Sequence, residues 1–386
     1  MHCSYSFFLV TAFAMWRPRS WDDSKILTAL YTLYSILSFT VYYTFLISQI
    51  LDIVLLAENI QQITENMIQL INVVNVSQKS LCFFLKRKKI IRFMDYFFED
   101  MTLPQSPREK EIQKSFDDES KGNSQKLFVL YSVSVVMYVY MPFFISKRED
   151  RVLPYRAWRP YSLDNVNYYY LAYLHQSWSV TIAATGNAAT ETLVSGFMIQ
   201  ICAQFEILEH RFMQLPKILK EMRENGESES TVLATERSII IKLIHHHWRI
   251  FEMTELFNDI FVFVILSQFV TSITVLCVST YNLALCKSVN NDFVTIFMYL
   301  LCMLLQIFMY TWYGNEITLR SCDLGNRIFL SEWRSLNPPT VKNLLIIAQR
   351  TMKPIILSSG YVITLSNVAF TSIVKTSYSV FNVLNV

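Results

Sequence analysis

Three consecutive histidines, His245 to His247, form the segment of this sequence most suggestive of metal chemistry. Two histidines on a helix converge on one zinc ion when they lie four residues apart. Consecutive helical residues point about 100° apart, so these three side chains cannot meet at one metal. The triplet therefore predicts an exposed or partner-facing helix, with no metal bound.

Other catalytic patterns are missing from the sequence. It has no nucleophile triad, no second cluster of metal ligands and no glycine-rich phosphate loop, and only 7 of its 386 residues are glycine. The polar segments between the apolar runs are too short to hold an enzyme domain. We therefore predict a protein that is not an enzyme, needs no cofactor and binds no nucleic acid.

Composition places the chain in a bilayer, since 52% of its residues are apolar, 17% are charged and the mean hydropathy is +0.29. A membrane-spanning helix needs about 20 apolar residues. A weaker candidate, residues 60–85, is interrupted by Glu65 and Lys79. The clear candidates are residues 26–51, 127–146, 165–190, 260–286, 293–315 and 355–374, the last continuing past Lys375 to the chain end.

Basic residues near span ends are retained in the cytoplasm, and this rule decides the topology. With seven spans and a cytoplasmic N-terminus, 26 of the 34 Lys and Arg residues fall in inside segments and 6 in outside segments. The fold class is therefore an all-α membrane protein with seven transmembrane helices and an extracellular C-terminus. G-protein-coupled receptors have the opposite orientation, and the segment 147–167 lacks the cysteine that most of them carry.

The alternation of apolar spans with basic segments divides the chain into five regions. Within the first region, residues 7–15 predict an interfacial helix, with Trp16 and Trp21 at the headgroups, and residues 101–126 predict a flexible loop. The regions are 1–200 (N-terminal tail and spans one to four), 201–255 (cytoplasmic helical extensions), 256–319 (spans five and six), 320–353 (a cytoplasmic helical anchor) and 354–386 (a broken seventh span).

Aromatic and methionine residues collect in the outer halves of the spans, which suggests an apolar cavity for a small lipophilic ligand. Ordinary helix packing and an interfacial aromatic belt would place the same residue types there, and that alternative stays open. For Glu191, among small residues, both a hydrogen bond between spans and an ion path are open. The candidate ligand-binding residues are Tyr138, Met141, Phe144, Tyr170, His175, Phe297, Met298 and Tyr299.

The final segment gathers its polar groups on one helical face. At 100° per residue, Ser379 and Asn382 lie within 40° of Lys375, and Lys375 lies about 16 Å below the chain end. A lysine at that depth needs water, and one helix cannot enclose a pore, so a water path requires several subunits. The Pro354 to Gly360 region is expected to break the helix below this face.

Sequence motifs in the last third resemble one known family. "YGNEI" at 313–317, "SEW" at 331–333 and "MKPIILSSGYVITLSNVAFTSIVKTSYSVF" at 352–381 resemble the sixth and seventh spans of the insect odorant receptors. These are seven-span, ligand-gated cation channels. The related gustatory receptors typically end in Thr-Tyr, five residues, then Gln-Phe. The "TSYSVF" of this chain departs from that ending, although a gustatory-type channel stays an alternative.

The resemblance implies an odorant-tuning subunit that forms a heterotetramer with a co-receptor in the plasma membrane of sensory neurons. It implies odorant binding in the outer half of spans two, three, four and six, and a non-selective cation pore lined by the seventh. Val383 aligns with the hydrophobic gate of the family, with Lys375, Ser379 and Asn382 along the path and Val386 at its outer margin. A metabotropic receptor and a secondary transporter are the remaining alternatives.

Overall fold

The fold is a bundle of long helices, described here from a computed structural model for residues 3–56, 60–141, 143, 153–285, 291–360 and 363–384. A π-helical turn, Val136–Tyr140, directly follows the helix that ends at Val135. The helices are α1 (Ser4–Ala12), α2 (Lys25–Leu55), α3 (Ile60–Leu85), α4 (Arg87–Tyr96), α5 (Pro107–Val135), α6 (Val166–Glu224), α7 (Glu229–Leu285), α8 (Asn291–Leu330), α9 (Pro338–Thr351) and α10 (Asn367–Leu384).

Helix α6 is the centre of the bundle and packs against α1, α2, α3, α5, α7 and α8. Every residue from 185 to 205 is buried, and small residues such as Ala188 and Gly196 let the neighbouring helices approach closely. Helices α6 and α7 both run into the end of the bundle that carries α4 and α9, where residues 225–228 join them. We call this end the base and the opposite end the cavity end.

The segment 101–126 is largely helical, so the prediction of a flexible loop was wrong. Ser106 Oγ accepts from the backbone N–H of Glu109 at 3.1 Å, and Glu109 Oε2 accepts from the backbone N–H of Gln105 at 2.8 Å. Pro107 occupies the first turn, where its missing N–H costs nothing. The four residues "SPRE" are a helix-start signal of the capping-box type, and the high charge of the segment obscured it.

The N-terminal segment is also placed differently from the prediction. Helix α1 packs against α5 and α6, and Trp16 is buried, with the Arg87 guanidinium 4.5 Å from its ring and the Phe83 ring 6.4 Å away. These contacts place Trp16 in the protein core and not among lipid headgroups, whereas Phe8 of α1 is 65% exposed and Trp21 is half-buried.

A non-helical segment separates α9 from α10. Two short strands, β1 (Ser358–Ser359) and β2 (Ile363–Thr364), pair antiparallel within it. The backbone N–H of Ile355 donates to Ser321 Oγ at 2.9 Å, which ties the segment to α8. Gly314 of α8 faces it closely, since a Cβ at this position would collide with Leu365 and lie 2.9 Å from its carbonyl oxygen.

By length and apolar composition alone, three segments of the described helices are able to cross a membrane. They are Lys25–Leu55, Glu229–Thr280 and Phe293–Leu330. Helix α3 has the same bounds as the weakest candidate span, and Lys79, one of the two charged residues that weaken its signal, is buried against other helices.

Candidate functional site

A cavity of about 470 Å³ lies inside the cavity end of the bundle. Its walls come from α3, α5 with its π-turn, α6, α7, α8 and one residue of the segment that precedes α6. The lining residues are Gln69, Asn72, Val76, Tyr131, Ser134, Val135, Tyr138, Val139, Tyr155, Val180, Ala183, Ala184, Asn187, Ser279, Thr295, Ile296, Tyr299, Cys302, Met303 and Gln306. This volume and mostly apolar lining suit a small lipophilic molecule.

Two of the eight candidate ligand residues line this cavity, namely Tyr138 and Tyr299. Asn72 of α3 donates a hydrogen bond from its side-chain amide to the Tyr299 hydroxyl, which joins α3 and α8 across the cavity. The Tyr155 ring packs against the Tyr138 ring at a tilt of 36°, with ring centroids 5.0 Å apart. Gln176 of α6 fixes Tyr155 through two hydrogen bonds of 3.1 Å to its backbone N–H and carbonyl.

Five of the other candidates lie elsewhere in the structure, and Phe144 lies outside the described residues. His175 lines a second cavity of about 490 Å³ between α2, α6 and residues 153–161, where its Nε2 lies 2.9 Å from Thr44 Oγ1. The remaining four, which do not line either cavity, are Met141, Tyr170, Phe297 and Met298.

A buried ion pair lies directly beneath the first cavity. The Lys79 ammonium of α3 pairs with the Glu191 carboxylate of α6, and the two side chains are 0% and 2% exposed. The same ammonium donates to Asn187 Oδ1 at 2.5 Å and to Gln268 Oε1 at 2.6 Å. Two full charges in the apolar interior are tolerated because they neutralise each other and because further hydrogen bonds satisfy the ammonium.

Amide side chains connect this ion pair to the cavity. Gln268 donates from Nε2 to Gln306 Oε1, and Asn187 donates from Nδ2 to the Tyr131 hydroxyl at 3.3 Å. Of these four residues, Gln306, Asn187 and Tyr131 line the cavity. Sequence reasoning singled out Glu191 but neither its partner nor these amides. Lys79 and Glu191 are 112 residues apart, and no local pattern joins them.

His246 and His247 are buried, so the prediction of an exposed or partner-facing histidine triplet holds only for His245. Arg211 has only donors, and it lies 3.2 Å from His246 Nδ1, so this nitrogen accepts. The proton is therefore on Nε2, which donates to Gln204 Oε1 at 3.0 Å. Among the described residues, no group of three or more His, Cys, Asp and Glu is arranged to hold a metal ion.

The surroundings of His246 lower its pKa strongly. Burial, followed by the positive charges of Arg211 and His247, lowers the pKa of His246 to about 3. Arg211 itself is held by Glu109 at 2.8 Å and by the carbonyl of Leu103 at 2.7 Å. A neutral His246 thus contributes to the hydrogen-bonded contacts between α6, α7 and the start of α5.

This low pKa predicts a loss of stability in acid. The unfolded chain binds a proton on this histidine below pH about 6.5, whereas the folded protein does so only near pH 3. His246 therefore does not lower the free energy of unfolding above pH 6.5. Below that pH it lowers this free energy progressively, by about 2 kcal/mol at pH 5. Thermal unfolding of the purified protein at pH 7.5 and pH 5 measures the loss.

The matched variants for this prediction are His246→Gln and His245→Gln. His246→Gln removes the titrating group, so its unfolding temperature should fall less between the two pH values than that of the parent. His245 is an exposed neighbour on the same helix, and its variant should follow the parent. An equal pH response in both variants would show that His246 does not cause the effect.

The candidate pore residues lie on the last helix. Lys375, Ser379 and Asn382 are exposed on α10, while Ile373 and Ser377 are buried on the side that packs against α7 and α8. Val383 lies within the helical backbone of α10 and its side chain is outside the described residues, as is all of Val386.

Comparison with solved structures identifies the fold. The fold is similar to that of the insect olfactory receptor OR5 from Machilis hrabei, solved alone and in complex with eugenol. For the eugenol complex the TM-score is 0.84 at 16% sequence identity, over 99% of this chain and 97% of that one. The architecture is therefore that of an insect olfactory receptor.

The family follows from the sequence itself. A family model described as 7tm Odorant receptor matches residues 59–378, and the chain belongs to this family. This confirms the predicted family and the prediction of an all-α membrane protein with seven transmembrane helices.

Curated relatives agree with this assignment. Odorant receptor Or1 of Anopheles gambiae is 26% identical over 65% of this chain and 63% of its own length. Odorant receptor 94a of Drosophila melanogaster is 25% identical over 60% of this chain and 57% of its own length. The matched region thus spans less than two thirds of each of these two relatives.

Proposed function

We propose that this protein binds a small volatile lipophilic odorant in the 470 Å³ cavity and, as one subunit of a heterotetramer with a co-receptor, opens a non-selective cation pore. The observation that carries the proposal is this cavity, enclosed by five helices of an odorant-receptor fold. The similar OR5 structure was solved with eugenol, a small aromatic molecule, which supports a ligand of that size. The plasma membrane of sensory neurons is the proposed location.

The orientation we propose has the N-terminus in the cytoplasm. Three groups of basic residues lie at or near the base, in α4, around the turn between α6 and α7, and around α9. The cavity would then open toward the outside, where odorant arrives, and the base would form the anchor between subunits in the cytoplasm.

Helix α10 is the proposed pore wall. Its exposed face carries an ammonium, a hydroxyl and an amide, from Lys375, Ser379 and Asn382. Facing lipid, these groups would each lose hydration, whereas facing an axis shared by several subunits they would meet water. Val383, one residue beyond Asn382, is the proposed hydrophobic gate, and Val386 its outer margin.

Current recordings test this proposal. The chain is expressed with and without a co-receptor, and membrane current is measured during application of an odorant panel. We expect odorant-evoked cation current when both are present, and Val383→Ala should raise the basal current severalfold, because a smaller apolar ring dewets less readily. Lys353→Ala, an exposed change in the segment before α10, is the control and should leave basal current unchanged.

Three results would count against the proposal or a part of it. Silence in every combination, with the protein shown to reach the cell surface, would refute the channel subunit. Odorant responses that persist without co-receptor and depend on a G protein would instead support a metabotropic receptor. An unchanged basal current and selectivity in Val383→Ala would remove that residue as the gate.

A further inference from the structure

The ion pair beneath the cavity fixes the direction of the amide groups above it. An ammonium only donates hydrogen bonds, so the side-chain oxygen of Gln268 must face Lys79. The Gln268 oxygen also accepts from Asn75 at 2.7 Å, and its nitrogen donates to Ser272 at 2.9 Å and to the Gln306 oxygen. Because the oxygen of Gln306 is occupied in this way, its nitrogen is the free end of the chain.

A second branch from the same ammonium ends in a donor as well. The oxygen of Asn187 accepts from Lys79, so its nitrogen donates to the hydroxyl oxygen of Tyr131. That oxygen is therefore an acceptor toward Asn187, and the hydroxyl proton is directed to another partner. In both branches the amide oxygen faces the Lys79 ammonium, and the branch ends in a donor group of a residue that lines the cavity.

The end of the first branch is buried without a partner. Gln306 is 1% exposed and lines the cavity, and its Nε2 has no hydrogen-bond partner among the residues that the structure describes. A buried amide N–H without an acceptor is unfavourable, and a chain of aligned hydrogen bonds that starts at a cation polarises its last donor. The cavity wall at Gln306 therefore favours a ligand that carries a hydrogen-bond acceptor.

We propose that the cavity selects odorants with a carbonyl acceptor, such as ketones, aldehydes and esters, over hydrocarbons of the same shape. The carbonyl oxygen accepts from Gln306 Nε2, with the Tyr131 hydroxyl as a second donor, and the apolar part of the odorant fills the remaining volume. The inference rests on the proposed function, because it assumes that the cavity is the odorant site. It adds the chemical class of the ligand and assigns Lys79 as the positioning residue.

Matched pairs of probes test this inference on the purified full-length protein. Acetophenone and α-methylstyrene differ by replacement of C=O with C=CH₂, as do 2-heptanone and 2-methyl-1-heptene. Dissociation constants come from the concentration dependence of thermal stabilisation, which needs no channel activity. The parent should bind each fitting ketone about tenfold more tightly than its alkene, the ratio that one net hydrogen bond supplies.

Variants separate the hydrogen bond from general packing. Gln306→Leu should bring the ratio of ketone affinity to alkene affinity close to one. Lys79→Met/Glu191→Leu, which removes both charges together, should also lower this ratio. Gln200→Leu makes the same change at a buried glutamine outside the cavity and should keep the parent ratio. Alkenes partition into detergent more than ketones do. This affects the parent and every variant equally, so it cancels when their affinity ratios are compared.

The possible results separate this inference from the proposed function. Equal binding of ketone and alkene by the parent, or an unchanged ratio in Gln306→Leu, would overturn the carbonyl selection and leave the cavity as an odorant site. If no probe of either pair stabilises the parent, both the inference and the assignment of this cavity as the site for such odorants are wrong.

Discussion

Lys79→Met, made alone, is expected to lower the free energy of unfolding by about 3 to 5 kcal/mol. The change leaves the Glu191 carboxylate, which is 2% exposed, in the interior without its cation. It also removes the donor that holds the oxygens of Asn187 and Gln268. Glu191→Leu should be destabilising for the reciprocal reason, because it strands the ammonium. The midpoint of thermal unfolding and the fraction of protein at the cell surface measure the loss.

Removing both charges should restore most of that stability. Lys79→Met/Glu191→Leu leaves no uncompensated charge, and buried ion pairs replaced by apolar residues of similar size are often neutral or better. We therefore expect the double variant to be more stable than either single variant, and its remaining loss to come from the donor that the oxygens of Asn187 and Gln268 no longer have. Lys375→Met is the matched control for the single change, since Lys375 is exposed on α10. Single variants as stable as the parent would show that water reaches the pair.

Ala184→Phe is expected to abolish or strongly reduce the response to odorants. Ala184 lines the cavity from α6 and packs near Tyr131 and Cys302, so a phenyl ring there occupies ligand space. If the ring displaces about 100 Å² of ligand contact, the loss is about 2.5 kcal/mol, close to a hundredfold in affinity. The effect should increase with odorant size, which dose-response curves for a homologous series of ketones will show.

The control for this variant introduces the same ring away from the cavity. Val270 is 57% exposed on α7, and Val270→Phe should leave the odorant response as in the parent. Basal current should also be unchanged in Ala184→Phe, since none of the described side chains of α10 lines the cavity. An Ala184→Phe protein that reaches the surface and responds normally to large odorants would show that they bind elsewhere.

The sequence predicted the position of a helix correctly where one physical property, such as apolar length, determines it. Apolar length marks the spans, and it places Ile60–Leu85 at the observed bounds of α3 despite Glu65 and Lys79. The same reasoning failed for residues 101–126, because high charge predicts disorder while the capping residues Ser106 and Glu109 start a helix that α6 then packs against. Local capping chemistry and tertiary packing together outweigh composition there.

The site was less accessible to sequence reasoning. Depth in the bilayer selects Tyr138 and Tyr299, which line a ligand-sized cavity, but it does not distinguish the inner from the outer face of a helix. Phe297 is also aromatic and lies two residues from Tyr299 at a similar depth, yet it is 47% exposed and does not line the cavity. The Lys79 and Glu191 pair depends on the relative rotation of α3 and α6, which only the packed structure supplies.

The separation of this ion pair along the chain also affects the order of biosynthesis. The ribosome adds Lys79 112 residues before Glu191, which at 5 to 20 residues per second is roughly 6 to 20 s. During that interval α3 has no carboxylate partner from α6, and a lone lysine opposes membrane insertion by about 3 kcal/mol. The complete insertion of α3 therefore depends on a helix that is made later, so translation speed and membrane chaperones should influence the yield of this protein.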